Sequence, residues 1–243
     1  MSQPPDVAVI IPARDEADRI RATVTGAAGL PGVDMVLVVD DGSRDATWTA
    51  ARQAGATVLR HDRRRGKAAA MQTGAEAVRL LEQRDGTAAR HLLFLDADLG
   101  ETAAAAGPLT VPVRRGEADM TIAVFSNRVR LGGHGLVAGL AGAGIERATG
   151  WRPAQPLNGQ RCLTRAAFEA ARPLAAGFGA ETGLTIDLLR RGMRVQEVEV
   201  PLAHRATGTD WRAQLHRARQ LADVARALAA RATVLTTGRR LAS

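Results

Sequence analysis

Four short apolar runs, Val7–Ile11, Met35–Val39, Thr57–Arg60 and Leu92–Leu95, constrain the fold more than anything else in this chain. Helical segments separate them: one ends at about Ala28, one runs from about Asp45 to Ala54, and one from Lys67 to about Leu81. Strands that alternate with helices make a right-handed βαβ architecture with a parallel sheet the expected fold. Apolar runs without alternation suit strands covered on both faces. Pro12 is expected to end the first of them. In such a sheet every strand leaves on the same rim, and ligands bind there. The rim should therefore gather Pro12–Glu16, Asp40–Ser43, Gly66–Lys67 and Asp96–Asp98.

The residue types on that rim point to an anion and a cation together. Asp96 and Asp98 follow a buried strand one residue apart, and like charges so close oppose each other's ionisation unless a cation joins them. Mg²⁺ or Mn²⁺ takes carboxylate oxygens and keeps positions for water and phosphates. Asp40 and Asp41 could accept hydrogen bonds from a nucleobase or a ribose, although one of the pair is expected to be structural. Gly66–Lys67 opens a helix, where free N–H groups and the dipole favour an anion. Lys67 is the only lysine among 33 basic residues, which marks it out. The loop is not a phosphate-binding P-loop, because His61 replaces its upstream glycine and Ala68 follows the lysine. Gly133–Ala138 matches a dinucleotide fingerprint only loosely, since no strand directly precedes it.

Composition narrows the partners. The chain has 243 residues with 46% hydrophobic content, enough for one sizeable core. A net charge of +8 suits an anionic partner, but aromatics make up only 3% and tyrosine is absent, so stacking platforms for nucleic acid are not expected. Cys162 stands alone, which excludes a disulfide framework or a cysteine zinc site. No signal peptide and no membrane-length apolar run is apparent, so a cytoplasmic location is expected, with the inner face of the membrane as the variant.

Beyond Gly100 the pattern changes. Strands are expected at Met120–Val124 and Val195–Val200, a helix in the second half of Arg128–Gly150, a loop over Gln155–Gln160 and a helix over Glu181–Arg191. Glu181 and Asp187 on that helix are candidate catalytic carboxylates, with Glu181 equally able to bind acceptor or complement the helix dipole. His204 follows a strand exit and could ligate metal. From Asp210 to about Leu235 a helical stretch carries Trp211, Leu215, Ala218, Ala222, Ala225 and Ala229 at helical spacing, widened by Leu221, Val224 and Leu228. Packing against the domain or a second subunit is favoured over a lipid surface, because alanine offers little area to insert.

Taken in order, Val9–Glu16, Val38–Ser43, Arg65–Lys67 and Leu95–Asp98 resemble the family 2 glycosyltransferases and relatives with the GT-A fold. Pro156–Arg161 and Gly177–Glu181 resemble the acceptor half of that group, and the likeness runs from about residue 6 to 220. It implies an α/β, Rossmann-like fold with a mostly parallel central sheet, plus a C-terminal helical arm. Residues 1–100 would form the nucleotide-sugar half, 101–207 the acceptor half and 208–243 the arm. Pro12, Ala13, Arg14, Glu16, Asp40, Asp41, Gly42, Lys67, Asp96 and Ala97 would contact the nucleotide sugar. Asn158, Gly159, Gln160, Arg161 and Arg205 would contact the acceptor, the two arginines being equally suited to diphosphate oxygens. Asp98 would serve catalysis together with Glu181 and Asp187, and the metal would fall to Asp96, Asp98 and His204. Polyprenyl-phosphate hexose synthases and glucosyl-3-phosphoglycerate synthases look closest. Gly100 departs from the former, which place a metal-holding glutamine there, and this points to His204 as the replacement.

The resulting expectation is a metal-dependent transferase moving a hexose from a UDP- or GDP-linked donor to a small or lipid-linked acceptor, with or without a phosphate. The metal would be Mg²⁺ or Mn²⁺, and a homodimer is compatible with it. A non-catalytic sugar-nucleotide-binding protein is the first alternative, opposed by the intact Asp96 and Asp98. A basic nucleic-acid module is the second.

Overall fold

A computed structural model describes residues 6–125, 135–177, 179–202 and 220–232. Seven strands form one sheet: β1 (Val7–Ala13), β2 (Val33–Asp40), β3 (Thr57–Arg60), β4 (His91–Phe94), β5 (Met120–Phe125), β6 (Arg161–Leu163) and β7 (Val195–Val200). Their order is β3-β2-β1-β4-β6-β5-β7. β6 runs antiparallel to both its neighbours, while the other pairings are parallel. The mostly parallel sheet is thus as expected, and the reversed strand is new. Three residues carry too little periodicity to announce a strand, and β6 exists because it closes the gap between β4 and β5.

Helices α1 (Ala17–Ala28), α2 (Thr47–Gln53) and α3 (Lys67–Asp85) connect the first four strands. A 3-10 segment (Ala97–Ala105), α4 (Thr110–Arg114), α5 (Gly135–Thr149), α6 (Arg165–Ala170) and α7 (Gly179–Arg190) follow, then a helix, α8, over 220–232. Alternation along β1 shows how the sheet is covered. Val7, Val9 and Ile11 join one core with α1, whereas Ala8 and Ile10 join the other with α3, α6 and α7. α3 lies so near the sheet that a Cβ on Gly74 would come within 2.5 Å of Ile10 Cγ2. Pro12 does not end β1, contrary to expectation. β4 pairs with β1 only as far as Ile10, so Pro12 has a neighbour on the β2 side alone and its missing N–H is tolerated.

The C-terminal stripe needs a correction. Val224 and Ala227 are buried and Leu228 half-buried, whereas Ala222, Ala225 and Ala229 face outward. α8 packs on the domain through the former set. Asp187 binds it there, accepting from Arg231 Nε at 2.8 Å and from its Nη2. Glycines make the approach possible: a Cβ on Gly179 would meet Ala227 Cβ at 2.7 Å, and one on Gly144 would meet Leu228 at 2.4 Å. No helix among the described residues is long and apolar enough to cross a membrane.

Candidate active site

The exits of β1 and β2 are laced together. Asp15 N–H donates to Ser43 Oγ (3.0 Å) and Glu16 N–H to Thr47 Oγ1 (2.8 Å), while Arg44 N–H donates to Asp15 Oδ1 (2.8 Å). Asp15 takes a left-handed φ of +54° to make this turn, and Glu16 then opens α1. Pro12, Ala13, Arg14 and Glu16 therefore share a rim with Gly42, as expected. Asp40 does not present its carboxylate there. It is fully buried, accepting from Ser43 N–H (2.8 Å) with Arg60 Nε at 3.3 Å, so it is the structural member of the aspartate pair.

Asp41 organises the next loop. Its Oδ1 lies 2.7 Å from His61 Nδ1 and accepts from Arg65 N–H (2.7 Å), and its Oδ2 accepts from Gly66 N–H (2.8 Å). Burial opposes the charge, but the His61 contact and the two backbone donors outweigh it and hold the carboxyl below its ordinary value. This clamp sets the start of α3 and so the position of Lys67. The sequence offered no sign of it, since nothing pairs His61 with Asp41 until β2 and β3 lie side by side.

Lys67 is the hub. Its Nζ donates to Asp96 Oδ1 at 2.6 Å and lies 3.1 Å from Glu181 Oε1, joining α3, the β4 exit and α7. Desolvation alone would lower the ammonium's pKa, but Asp96 and Glu181 reverse the effect and hold it well above the usual lysine value. Asp96 is gripped from its other side by Gln160, which is fully buried. Gln160 Oε1 accepts from Asp96 N–H at 2.8 Å and its Nε2 donates to Oδ2 at 2.8 Å. Gly159 makes room: a Cβ there would stand 2.2 Å from Lys67 Nζ.

The acceptor assignments change accordingly. Gln160 serves Asp96. Asn158 spends its carboxamide on Gln155 Oε1 and Gln160 N–H, shaping the turn. Arg161 is wholly enclosed, donating to the carbonyls of Pro156, Asn158 and Glu181 and to Thr185 Oγ1, so no ligand reaches it. Desolvation pushes its guanidinium down to about 10. Asp187, expected to be catalytic, is the anchor of α8 described above. It lies six residues beyond Glu181, nearly two turns along α7 and away from Lys67. His204 and Arg205 lie outside the described residues.

Asp98 remains on the rim, half-buried, with its backbone secured by α1. Arg19 Nη1 donates to the Asp98 carbonyl (3.0 Å), and Thr23 Oγ1 donates to that of Ala97 (2.8 Å) while accepting from Gly100 N–H (2.8 Å). Gly100 has φ +57° and ψ −138°, a conformation that glycine alone adopts readily. Among the described residues no three acidic, histidine or cysteine side chains cluster as a metal site. Asp96, also expected to ligate the metal, has Oδ1 on Lys67 and Oδ2 on Gln160, so the donor set fits a hard cation that draws its remaining ligands from phosphate and water, with Asp98 as the rim carboxylate.

A mostly parallel sheet with this acidic and cationic rim is the framework of a nucleotide-sugar transferase with the GT-A fold. The chain belongs to glycosyl transferase family 2, whose model matches residues 8–130, slightly over half of the sequence. It is 28% identical to "Glycosyltransferase AglJ" of Haloferax volcanii over 86% of this chain and 67% of that one. It is 29% identical to the glucosyl-3-phosphoglycerate synthase of Mycolicibacterium paratuberculosis over 76% of this chain and 60% of that one. The chain thus spans about two thirds or less of the length of these relatives. The crystal structure of glucosyl-3-phosphoglycerate synthase from Mycobacterium tuberculosis with phosphoglyceric acid superposes with a TM-score of 0.72, at 26% identity, covering 93% of this chain and 80% of that one. The same enzyme with Mg²⁺ and uridine diphosphate gives 0.69 at 26% identity, covering 93% and 79%.

Proposed function

We propose that this protein transfers a hexose from a nucleoside diphosphate sugar to a small phosphorylated acceptor, with a divalent ion bound at Asp98. The observation that carries the reading is the Lys67 bridge between Asp96 and Glu181, which sets one cation between a donor-side and an acceptor-side carboxylate. Lys67, at a helix N-terminus, meets the diphosphate with a full charge and with the free N–H groups around it. Asp96, held by Gln160, meets the sugar or ribose hydroxyls. Glu181 faces the acceptor and orients its hydroxyl. Asp98 and His204 would hold Mg²⁺ or Mn²⁺, which when bound supplies Lewis-acid stabilisation of the departing nucleotide. The phosphorylated acceptor is favoured by the likeness to enzymes whose names and complexes include phosphoglycerate.

The test is mass spectrometry of nucleotide-sugar turnover with Mn²⁺ or Mg²⁺, offered phosphoglycerate, other small phosphorylated acceptors and a polyprenyl phosphate. Glycosylated product that depends on the metal and on a small phosphorylated acceptor is expected. Product from the lipid acceptor alone would overturn the acceptor assignment, and no product from any donor would overturn the reading.

A further inference from the structure

Beside the exits of β1, β2 and β3 lies a cavity of about 630 Å³ whose lining includes Arg14, Arg44, Asp62, Arg63 and Arg64. Arg14 and Gly42, which line it, are two of the residues that the family resemblance assigns to the donor nucleotide. Arg60 also lines it but is committed to the Ser43 carbonyl (2.8 Å) and to Asp40. Arg44, Arg63 and Arg64 form no ion pair among the described residues. Arg14 Nε is buried without a hydrogen-bond partner, 3.4 Å from Asp15 Oδ2.

The backbone behind this lining is held in place, while the side chains of Arg44, Asp62, Arg63 and Arg64 are exposed. Asp41 clamps the loop at Arg65 and Gly66, and a Cβ on Gly42 would stand 3.0 Å from the backbone of Arg63 and Arg64. Arginines on this loop are therefore presented from a set backbone.

We propose that this cavity takes the base of the donor nucleotide and selects guanine over uracil. This rests on the donor-site reading above. Guanine offers two adjacent acceptors, O6 and N7, which a guanidinium fork matches bidentately. On its next edge it offers N1–H and N2–H₂, two parallel donors that suit one carboxylate, and Asp62 is the carboxylate in the lining. Uracil presents one donor, N3–H, between two acceptors, O4 and O2, and so has neither the adjacent acceptor pair nor the parallel donor pair. Adenine has an amino donor where guanine has O6, which a guanidinium opposes. General attraction to arginine does not separate these bases, because GDP, ADP and UDP carry the same diphosphate charge.

Calorimetry of GDP, ADP and UDP with Mn²⁺ on the full chain tests this. GDP should bind more tightly than either competitor by about tenfold or more, at the lower end of one bidentate contact. The Arg63→Ala/Arg64→Ala double variant and Asp62→Ala, checked for folding by circular dichroism, should lose more affinity for GDP than for UDP. UDP or ADP binding as tightly as GDP to the unaltered protein would overturn the proposal and leave the donor-site reading standing. Failure of all three to bind would overturn the donor-site reading itself.

Discussion

Gln160 holds Asp96 at both ends, its carboxamide oxygen on the backbone N–H and its nitrogen on the carboxylate, each at 2.8 Å. The carboxylate can then turn only one way, with Oδ1 towards Lys67. Replacing Gln160 by leucine keeps the volume but leaves Asp96 N–H without its partner. The expected stability loss is about 1–3 kcal/mol for an unsatisfied buried group. Donor KM should rise more than acceptor KM, because the role proposed for Asp96 is on the donor side. Steady-state kinetics with both substrates varied checks this; equal effects on the two would argue against a donor-side role.

Lys67→Met removes the cation that Asp96 and Glu181 share. Charge-assisted hydrogen bonds of this kind are worth roughly 1.5–3 kcal/mol, so nucleotide affinity should fall by about tenfold to a hundredfold. Arg115→Met, at an exposed arginine after α4, removes the same formal charge away from the rim. Calorimetry should show little change there. Equal losses would mean that bulk charge, not the bridge, attracts the nucleotide.

Asp41 gives the fold an acid-sensitive clamp. Its carboxyl is held below the ordinary value of 3.8, so its stabilisation is complete above that pH and is lost as pH falls through the lower folded value. Asp41→Asn should cost roughly 1.5–3 kcal/mol at neutral pH, and the gap to the unaltered protein should narrow below about pH 4. Urea unfolding across that range is the measurement. A gap that stays constant would mean that the charge contributes nothing.

Asp187→Ala tests the reassignment of that residue. It should lower the melting temperature by detaching α8 while leaving kcat with saturating substrates near its original value. A large loss of kcat without loss of stability would restore the catalytic role expected from the sequence.

The first half of the site was legible because each strand exit carries its chemistry in consecutive residues. Val38–Ser43 and Leu95–Asp98 show strand, rim and carboxylate in one stretch, and the parallel topology then brings such stretches together. What stayed hidden depends on contacts between distant segments. Gln160 and Asp96 are far apart in sequence, and β6, which sets Gln160 in place, is too short to register as a strand. Arg161 and Asp187 were misassigned for the complementary reason: charge suggested a ligand, and only packing reveals that their partners are internal. The alanines at 222, 225 and 229 misled because alanine packs and faces solvent almost equally well, so their spacing does not fix which side of α8 turns inward; Trp211, Leu215 and Ala218 of the same stripe lie outside the described residues.

Thermal unfolding with a nucleoside diphosphate and Mn²⁺ addresses the rim as a metal-dependent donor site. Nucleotide at about 100 times its dissociation constant should stabilise the protein by roughly 2.7 kcal/mol. Chelator should remove most of that gain, and Asp98→Ala should behave like the chelated protein. A shift of the same size with chelator present, or one that survives in Asp98→Ala, would contradict the account.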